Sequence, residues 1–189
     1  MEDLKAKLPK IELVKNFLRV MLLPAWYLEW RFMKKVSLDD VATIIFSSGS
    51  EGMPKGVELT HLNLIGNIKQ CESVLNPSSE DVFLGSLPLF HAFGFSITTM
   101  LCLVCGVPVA TCPDPTDAKL VSRMCAQFKV TIMVATGTFL RMWGINRAVH
   151  PLMFEHIRSI YAGAEKIRED VRQLYRTKFK LEIFEGFGC

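Results

Sequence analysis

The amino-acid sequence predicts an α/β fold, a mostly parallel sheet flanked by helices. Three observations lead there. Six short runs rich in β-branched residues, Val41–Phe46, Val82–Ser86, Val107–Thr111, Thr131–Ala135, Ile157–Tyr161 and Leu181–Phe184, alternate with stretches of helical periodicity. Such alternation is built by right-handed crossovers that lay the strands side by side in parallel. No Asp, Glu, Lys or Arg occurs from Val82 to Pro113, as strands covered by helices on both faces require. Half of the 189 residues are hydrophobic, enough for one core and one α/β domain.

Residues 1–37 read as a helical lead-in and 38–189 as the α/β domain. In the lead-in, Trp26, Tyr27, Trp30 and Phe32 lie among Lys15, Arg19, Arg31 and Lys34, with a break at Pro24. That pattern suits an interfacial amphipathic helix, or, as the favoured alternative, a pair of helices that pack on another part of the protein. The apolar run Val41–Phe46 looks like a buried strand. Thr60 is placed to cap a helix from His61 to about Val74, with Leu62, Ile65, Ile68 and Lys69 at helical spacing. The uncharged window is broken by Pro88, Gly94, Gly106 and Pro108, so it predicts strand, loop, buried helix, turn and second strand, where a spanning helix needs ~20 unbroken apolar residues. Thr116 or Asp117 starts a helix through Phe128 with Leu120, Val121, Met124 and Phe128 as its stripe. Thr136 or Thr138 starts one toward Ala148, and Glu165–Lys178 forms another with Ile167, Val171, Leu174 and Tyr175 inward.

Charge and cysteine content exclude several classes. A net charge of +3 with scattered Lys and Arg gives no basic stripe for nucleic acid. The six cysteines are unevenly spaced in a chain able to build an ordinary core, which points to reduced thiols and a cytoplasmic setting. Cys102 and Cys105 form a C-x-x-C inside an apolar helical run, better read as core than as a redox or zinc centre. The acidic start Met1-Glu-Asp-Leu is not a secretory signal.

The stretch Ser47-Ser-Gly-Ser-Glu-Gly-Met-Pro-Lys-Gly56 has the composition of a phosphate cradle. Gly49, Gly52 and Gly56 let successive amide N–H groups turn toward one anion. Ser47, Ser48 and Ser50 add hydroxyl donors, and Lys55 adds a mobile charge. It is not a Walker A loop, because Lys55 stands between Pro54 and Gly56. A surface turn of the same composition is the alternative to that reading.

Three further segments recur in order: Leu87-Pro-Leu-Phe-His-Ala-Phe-Gly94, Ala162-Gly-Ala-Glu-Lys166 and Glu185-Gly-Phe-Gly-Cys189. With the first loop, they resemble the motifs of the AMP-forming adenylating enzymes, the superfamily of acyl-CoA synthetases, luciferases and nonribosomal-peptide adenylation domains. The likeness covers roughly Leu38 to Cys189. In spelling, and with Thr136-Gly-Thr-Phe-Leu140 between the motifs, it is most similar to the synthetase part of bifunctional acyl-acyl-carrier-protein synthetase/2-acylglycerophosphoethanolamine acyltransferases. The resemblance implies a fragment of the large N-terminal domain of such an enzyme. In the family, a threonine and a magnesium-binding glutamate follow the position of Cys189, then a ribose-binding aspartate and a mobile domain with a catalytic lysine. The expectation is therefore a piece of a longer enzyme, inactive by itself, with the Mg²⁺ ligand outside it.

The same resemblance assigns roles. Ser47, Ser48, Gly49, Ser50, Gly52, Lys55 and Gly56 would hold the ATP phosphates. His91 would position the acyl carboxylate and the α-phosphate, although a lone histidine between Phe90 and Phe93 is otherwise a core residue. Gly163, Ala164, Glu165, Gly186 and Phe187 would hold adenine, and Phe95, Phe139, Leu140 and Trp143 would line the acyl channel. Glu51 departs from the family's usual threonine and would repel a triphosphate unless a cation intervenes. The implied partners are ATP, a fatty acid, acyl carrier protein and a lysophospholipid, with the parent enzyme at the cytoplasmic face of the inner membrane. A ligase for another acid with coenzyme A as acceptor, or a nucleotide-binding interaction module without turnover, are the alternatives.

Overall fold

The computed structural model describes residues 9–33, 35–47 and 54–186. The chain divides into two compact units, Met1–Leu38 and Asp39–Cys189. In the first, α1 (Lys10–Leu22) and α2 (Ala25–Phe32) are separated at Pro24. Proline disfavours helical backbone in the residue before it, and Leu23 is extended at φ −95° and ψ 140°. Phe17, Met21, Trp26 and Trp30 are exposed. No helix among the described residues is long and apolar enough to cross a membrane.

The second unit opens with an antiparallel pair, β1 (Val41–Ser47) and β2 (Lys55–Thr60), in register Ser47↔Lys55 and Ile45↔Val57. This corrects the expectation of a buried parallel strand at Val41–Phe46. A two-stranded ribbon leaves its apolar residues half in solvent, and Phe46 is 71 % exposed. Thr60 then caps α3 (His61–Leu75) through a reciprocal pair: its hydroxyl accepts from the Asn63 N–H, and the Asn63 side chain accepts from the Thr60 N–H. The inward face of α3 is Leu64, Ile68 and Leu75, whereas Leu62 and Ile65 of the expected stripe face outward.

Five parallel strands follow: β3 (Phe83–Gly85), β4 (Val109–Thr111), β5 (Ile132–Ala135), β6 (Ser159–Ala162) and β7 (Ile183–Glu185), in spatial order β4-β3-β5-β6-β7. A π-helical stretch Gly94–Leu101 runs into α4 (Cys102–Cys105) between β3 and β4, and Gly106 at φ 67° ends it. The remaining crossovers are α5 (Ala118–Gln127), α6 (Gly137–Ile145) and α7 (Glu169–Leu174), the last extended by a π turn at Tyr175–Phe179. Asp117 caps α5 and Thr136 caps α6. Glu165–Arg168, expected to be helical, remains loop.

Side chains alternate between the two faces of the sheet. Leu84, Met133 and Ile160 join a core with Val121, Leu140, Trp143 and Tyr175, while Phe83, Ile132 and Val134 join another with Ile68, Ile97 and Leu101. Both faces are thus covered, which is why the uncharged window carries no charge. Burial pushes the free thiols of Cys102 and Cys125 up to about 12.

At the amino ends of the strands sits a buried carboxylate. Asp81 accepts from Arg158 Nε and Nη2, both at 2.8 Å, from Thr131 Oγ1 at 2.7 Å and from the Ser78 N–H at 2.8 Å. These residues precede β3, β5 and β6, so one side chain ties three strand entrances together. The Arg158 guanidinium, helped by Thr131 and Ser78, holds the Asp81 carboxyl well below the usual range.

Candidate functional site

The chain leaves β3 to one side for β4 and returns to the other side for β5. That reversal makes the carboxyl ends of β3 and β5 a switch point, the crevice where parallel sheets bind ligands. The loop after β3 carries His91. Its backbone N–H donates to Pro88 O at 3.2 Å, and its Nδ1 accepts from the Phe93 N–H at 3.3 Å. An accepting Nδ1 leaves Nε2 as the protonated nitrogen of a neutral ring, and the side chain is exposed.

Gly94 follows because nothing larger fits: a Cβ there would stand 2.3 Å from Pro88 O. The loop therefore folds against the start of its own helix, and this sets the height of His91 and Phe93. Across the crevice, a Cβ on Gly163 would stand 3.1 Å from Cε1 and Cζ of Phe93 and 3.4 Å from Gly186 O. The Gly163 N–H donates to Ala135 O at 3.3 Å, and the Gly186 N–H to Ala162 O at 2.8 Å. Residues of three of the sequence motifs, in the loops after β3, β6 and β7, thus come together at the carboxyl ends of the sheet. Phe93, which bridges them, was not singled out from the sequence, since an aromatic beside His91 reads as core.

Ala164 adopts φ 67°, left-handed backbone that costs an L-residue about 1–2 kcal/mol. Glu165, expected beside adenine, has its carboxylate committed to α6: it accepts from the Thr138 N–H at 2.5 Å and from Thr138 Oγ1 at 3.1 Å. Those bonds, the backbone one foremost, hold its carboxyl below the usual range.

Lys55 and Gly56 lie at the start of β2, and register places Lys55 opposite Ser47. The two ends of the proposed phosphate loop are therefore side by side. Ser48, Gly49, Ser50 and Gly52, between those ends, and Phe187, after Gly186, lie outside the described residues. Of the expected channel residues, Phe95 and Phe139 are half-buried, whereas Leu140 and Trp143 are closed within the core. The Trp143 indole stacks on Phe139 at 5.8 Å and donates to Pro115 O at 2.8 Å. A shallow cleft of about 360 Å³ is lined by Thr138, Arg141, Met142, Glu165 and Lys166 among others. It includes neither His91 nor Gly186.

The sequence matches the AMP-binding enzyme family over residues 7–189. Probable 4-coumarate–CoA ligase 3 of Dictyostelium discoideum is 29% identical over 154 residues, covering 79% of this chain and 28% of that protein. Luciferin 4-monooxygenase of Photuris pensylvanica is 28% identical over 156 residues, with 79% and 28% covered. Among solved structures, the inhibitor-bound N-terminal domain of FACL13 from Mycobacterium tuberculosis superposes with a TM-score of 0.75 at 24% identity, covering 83% of this chain and 38% of that one. ATP-bound MatB from Rhodopseudomonas palustris gives 0.69 at 21%, covering 80% and 30%. The chain spans little more than a quarter of the length of these curated relatives. Its strand-end motifs and the match over nearly its whole length place it in the AMP-binding enzyme family.

Proposed function

We propose that residues 39–189 hold ATP for an AMP-forming acyl ligase. The observation that carries this is the meeting of Phe93, Gly163 and Gly186 beside the switch point of a parallel sheet. In the reaction, a carboxylate oxygen attacks the α-phosphorus, the bond to the pyrophosphate oxygen breaks, and acyl-AMP and pyrophosphate form. Catalysis of this kind is positioning and charge stabilisation. Lys55 and the loop between Ser47 and Gly56 take the β- and γ-phosphates. The Nε2–H of His91 positions the acyl carboxylate against the α-phosphate, without accepting a proton. Gly163, Ala164 and Gly186 admit a flat base to the backbone, with Phe187 covering it. The acyl chain is assigned to the side of Phe95 and Phe139, with Leu140 and Trp143 backing that wall.

A magnesium ion would neutralise the polyphosphate. Among the described residues no group of three or more His, Cys, Asp or Glu side chains could hold one, so no step is assigned to it. The substrate is assigned as a fatty acid and the acceptor as acyl carrier protein, on the spellings Ser48-Gly-Ser-Glu-Gly52 and Leu87-Pro-Leu-Phe-His91. A lysophospholipid would receive the acyl group in the parent enzyme, at the cytoplasmic face of the inner membrane. The relatives named 4-coumarate–CoA ligases favour a second reading, another acid with coenzyme A as acceptor.

Acid-dependent exchange of pyrophosphate into ATP, measured on the full-length gene product, separates these. The proposal expects exchange with long-chain fatty acids and transfer to the phosphopantetheinylated carrier protein. Exchange with 4-coumarate and transfer to coenzyme A would favour the second reading. Absence of exchange with every carboxylic acid would refute both.

A further inference from the structure

Every side chain of residues 11–22 in α1 is exposed, Phe17 at 64% and Met21 at 69% among them. At about 100° per residue, the apolar positions of this stretch sweep an arc of roughly 200°, from Val20 through Phe17, Met21 and Leu18 to Leu22. The strip left over holds Glu12, Lys15, Asn16 and Arg19. A helix lying on a protein core needs an apolar stripe of about 100°. A face twice that width fits a medium that closes over the helix from below and from both sides, as acyl chains do around an interfacial helix.

α2 adds aromatic rings. Trp26 and Trp30 are exposed, with Tyr27 between them at a centroid distance of 6.0 Å from each. Tryptophan and tyrosine suit the bilayer–water boundary, where the ring meets acyl chain and its polar edge meets headgroup. The charge balance has a sign as well: residues 9–36 carry six Lys and Arg against two Glu. Lys15 and Arg19 lie on the polar strip of α1, and Arg31 and Lys35 stand at and after the end of α2.

From these faces we infer that α1 and α2 dock on the surface of an anionic phospholipid bilayer. The apolar arc of α1 and the rings of α2 enter the acyl-chain boundary, and the cationic groups stay among the headgroups. Neither helix is long and apolar enough to cross, so both lie in the plane of the interface. The inference uses no residue of the nucleotide site, and it gives the membrane location proposed above a contact surface.

The test is co-sedimentation of the full-length gene product with vesicles of phosphatidylcholine alone and of phosphatidylcholine mixed with phosphatidylglycerol. Binding should favour the mixed vesicles at least tenfold and weaken as salt rises. Phe17→Glu combined with Met21→Glu puts two charges in the middle of the apolar arc and should weaken binding at least tenfold. Lys15→Gln combined with Arg19→Gln should weaken binding to the mixed vesicles by about fivefold per charge. Brominated acyl chains should quench the tryptophan emission of the parent, and quench less in Trp26→Phe combined with Trp30→Phe, which keeps the apolar surface. Thermal melts and vesicle-free pyrophosphate exchange of all variants should match the parent, because the altered side chains are exposed. Absence of vesicle binding, equal binding to both compositions, or binding that the two glutamates leave unchanged overturns the inference. A lower Tm or slower exchange in the glutamate variant overturns it too, since the face then packs within the full-length protein. A concentration-dependent dimer that the glutamates abolish, without vesicle binding, assigns the face to a second copy instead. Each of these results leaves the ATP reading standing, whereas vesicle binding by a protein without exchange removes the ATP reading alone.

Discussion

Replacing Asp81 by alanine should remove the staple at the amino ends of the sheet, and its cost can be worked from the contacts. The side chain is 4% exposed and accepts from Arg158, Thr131 and Ser78. Truncation strands the Ser78 N–H and the buried side of the Arg158 fork, while Thr131 Oγ1 keeps a long contact to Val82 O at 3.4 Å. Breaking a fully buried ion pair costs about 3–5 kcal/mol. Because the Arg158 side chain is 44% exposed and can turn to water, the low end applies, about 3 kcal/mol. For a domain of this size that is roughly 6–12 °C in Tm. Asp81→Asn keeps one acceptor oxygen, for either Thr131 or Ser78, and turns an NH2 donor toward the remaining donors, so most of the effect is expected.

The pH dependence has a definite sign. The folded carboxyl is held below its ordinary value, so its contribution is fully present above the unfolded pKa of about 4 and is lost as pH falls toward the folded value. The gap between parent and Asp81→Ala should therefore be constant from pH 8 to about 5 and shrink by roughly 1 kcal/mol by about pH 3. Urea melts followed by circular dichroism at several pH values measure this. A cost under about 1 kcal/mol at pH 7, or a gap that does not narrow in acid, would show that the cluster is not a stabilising ion pair.

Three other outcomes are expected. Gly94→Ala should destabilise by about 2 kcal/mol or more, since its Cβ meets backbone at 2.3 Å; Gly66→Ala, with nothing within 4 Å, should gain up to about 1 kcal/mol, and paired melts compare them. Ala164→Gly should stabilise by about 1 kcal/mol by relieving φ 67°, read by the same melts. If Lys55 takes the β- and γ-phosphates as proposed, Lys55→Ala should impair acyl-AMP formation at least tenfold and spare transfer from pre-formed acyl-AMP, because the pyrophosphate has then left; equal loss in both half-reactions, measured separately, would place Lys55 elsewhere in the chemistry.

Much of this architecture was legible in local sequence. Capping residues announce themselves by type and offset, so Thr60, Asp117 and Thr136 were found, and so were the five strands of the parallel sheet within a few residues. Lys55–Thr60 was not read as a strand, because its lysine and glycine match a loop, and its partner is set by a turn whose geometry composition does not specify. Nor was the face of α3 correct in detail: Leu62 and Ile65 are as apolar as Leu64, and only the sheet decides which of them turns inward. The Asp81–Arg158 pair spans 77 residues and Glu185–Ile167 spans 18. No periodicity links such residues; the strand order does.

That order also explains why the two ends of the sheet differ. At the amino ends, Asp81, Thr131 and Arg158 enter three strands and satisfy one another, so polar groups there close into a cluster. At the carboxyl ends the chain turns outward, and Gly94 and Gly163 let the loops pack closely against Pro88 and Phe93, while Ala164 carries strain. Strain persists only where surrounding ties over-determine it. The Gly163 N–H on Ala135 O and Glu165 on Thr138 are those ties, one on either side of Ala164. Glu165, which sequence similarity draws toward the nucleotide, thus has its carboxylate committed to holding its own loop against α6.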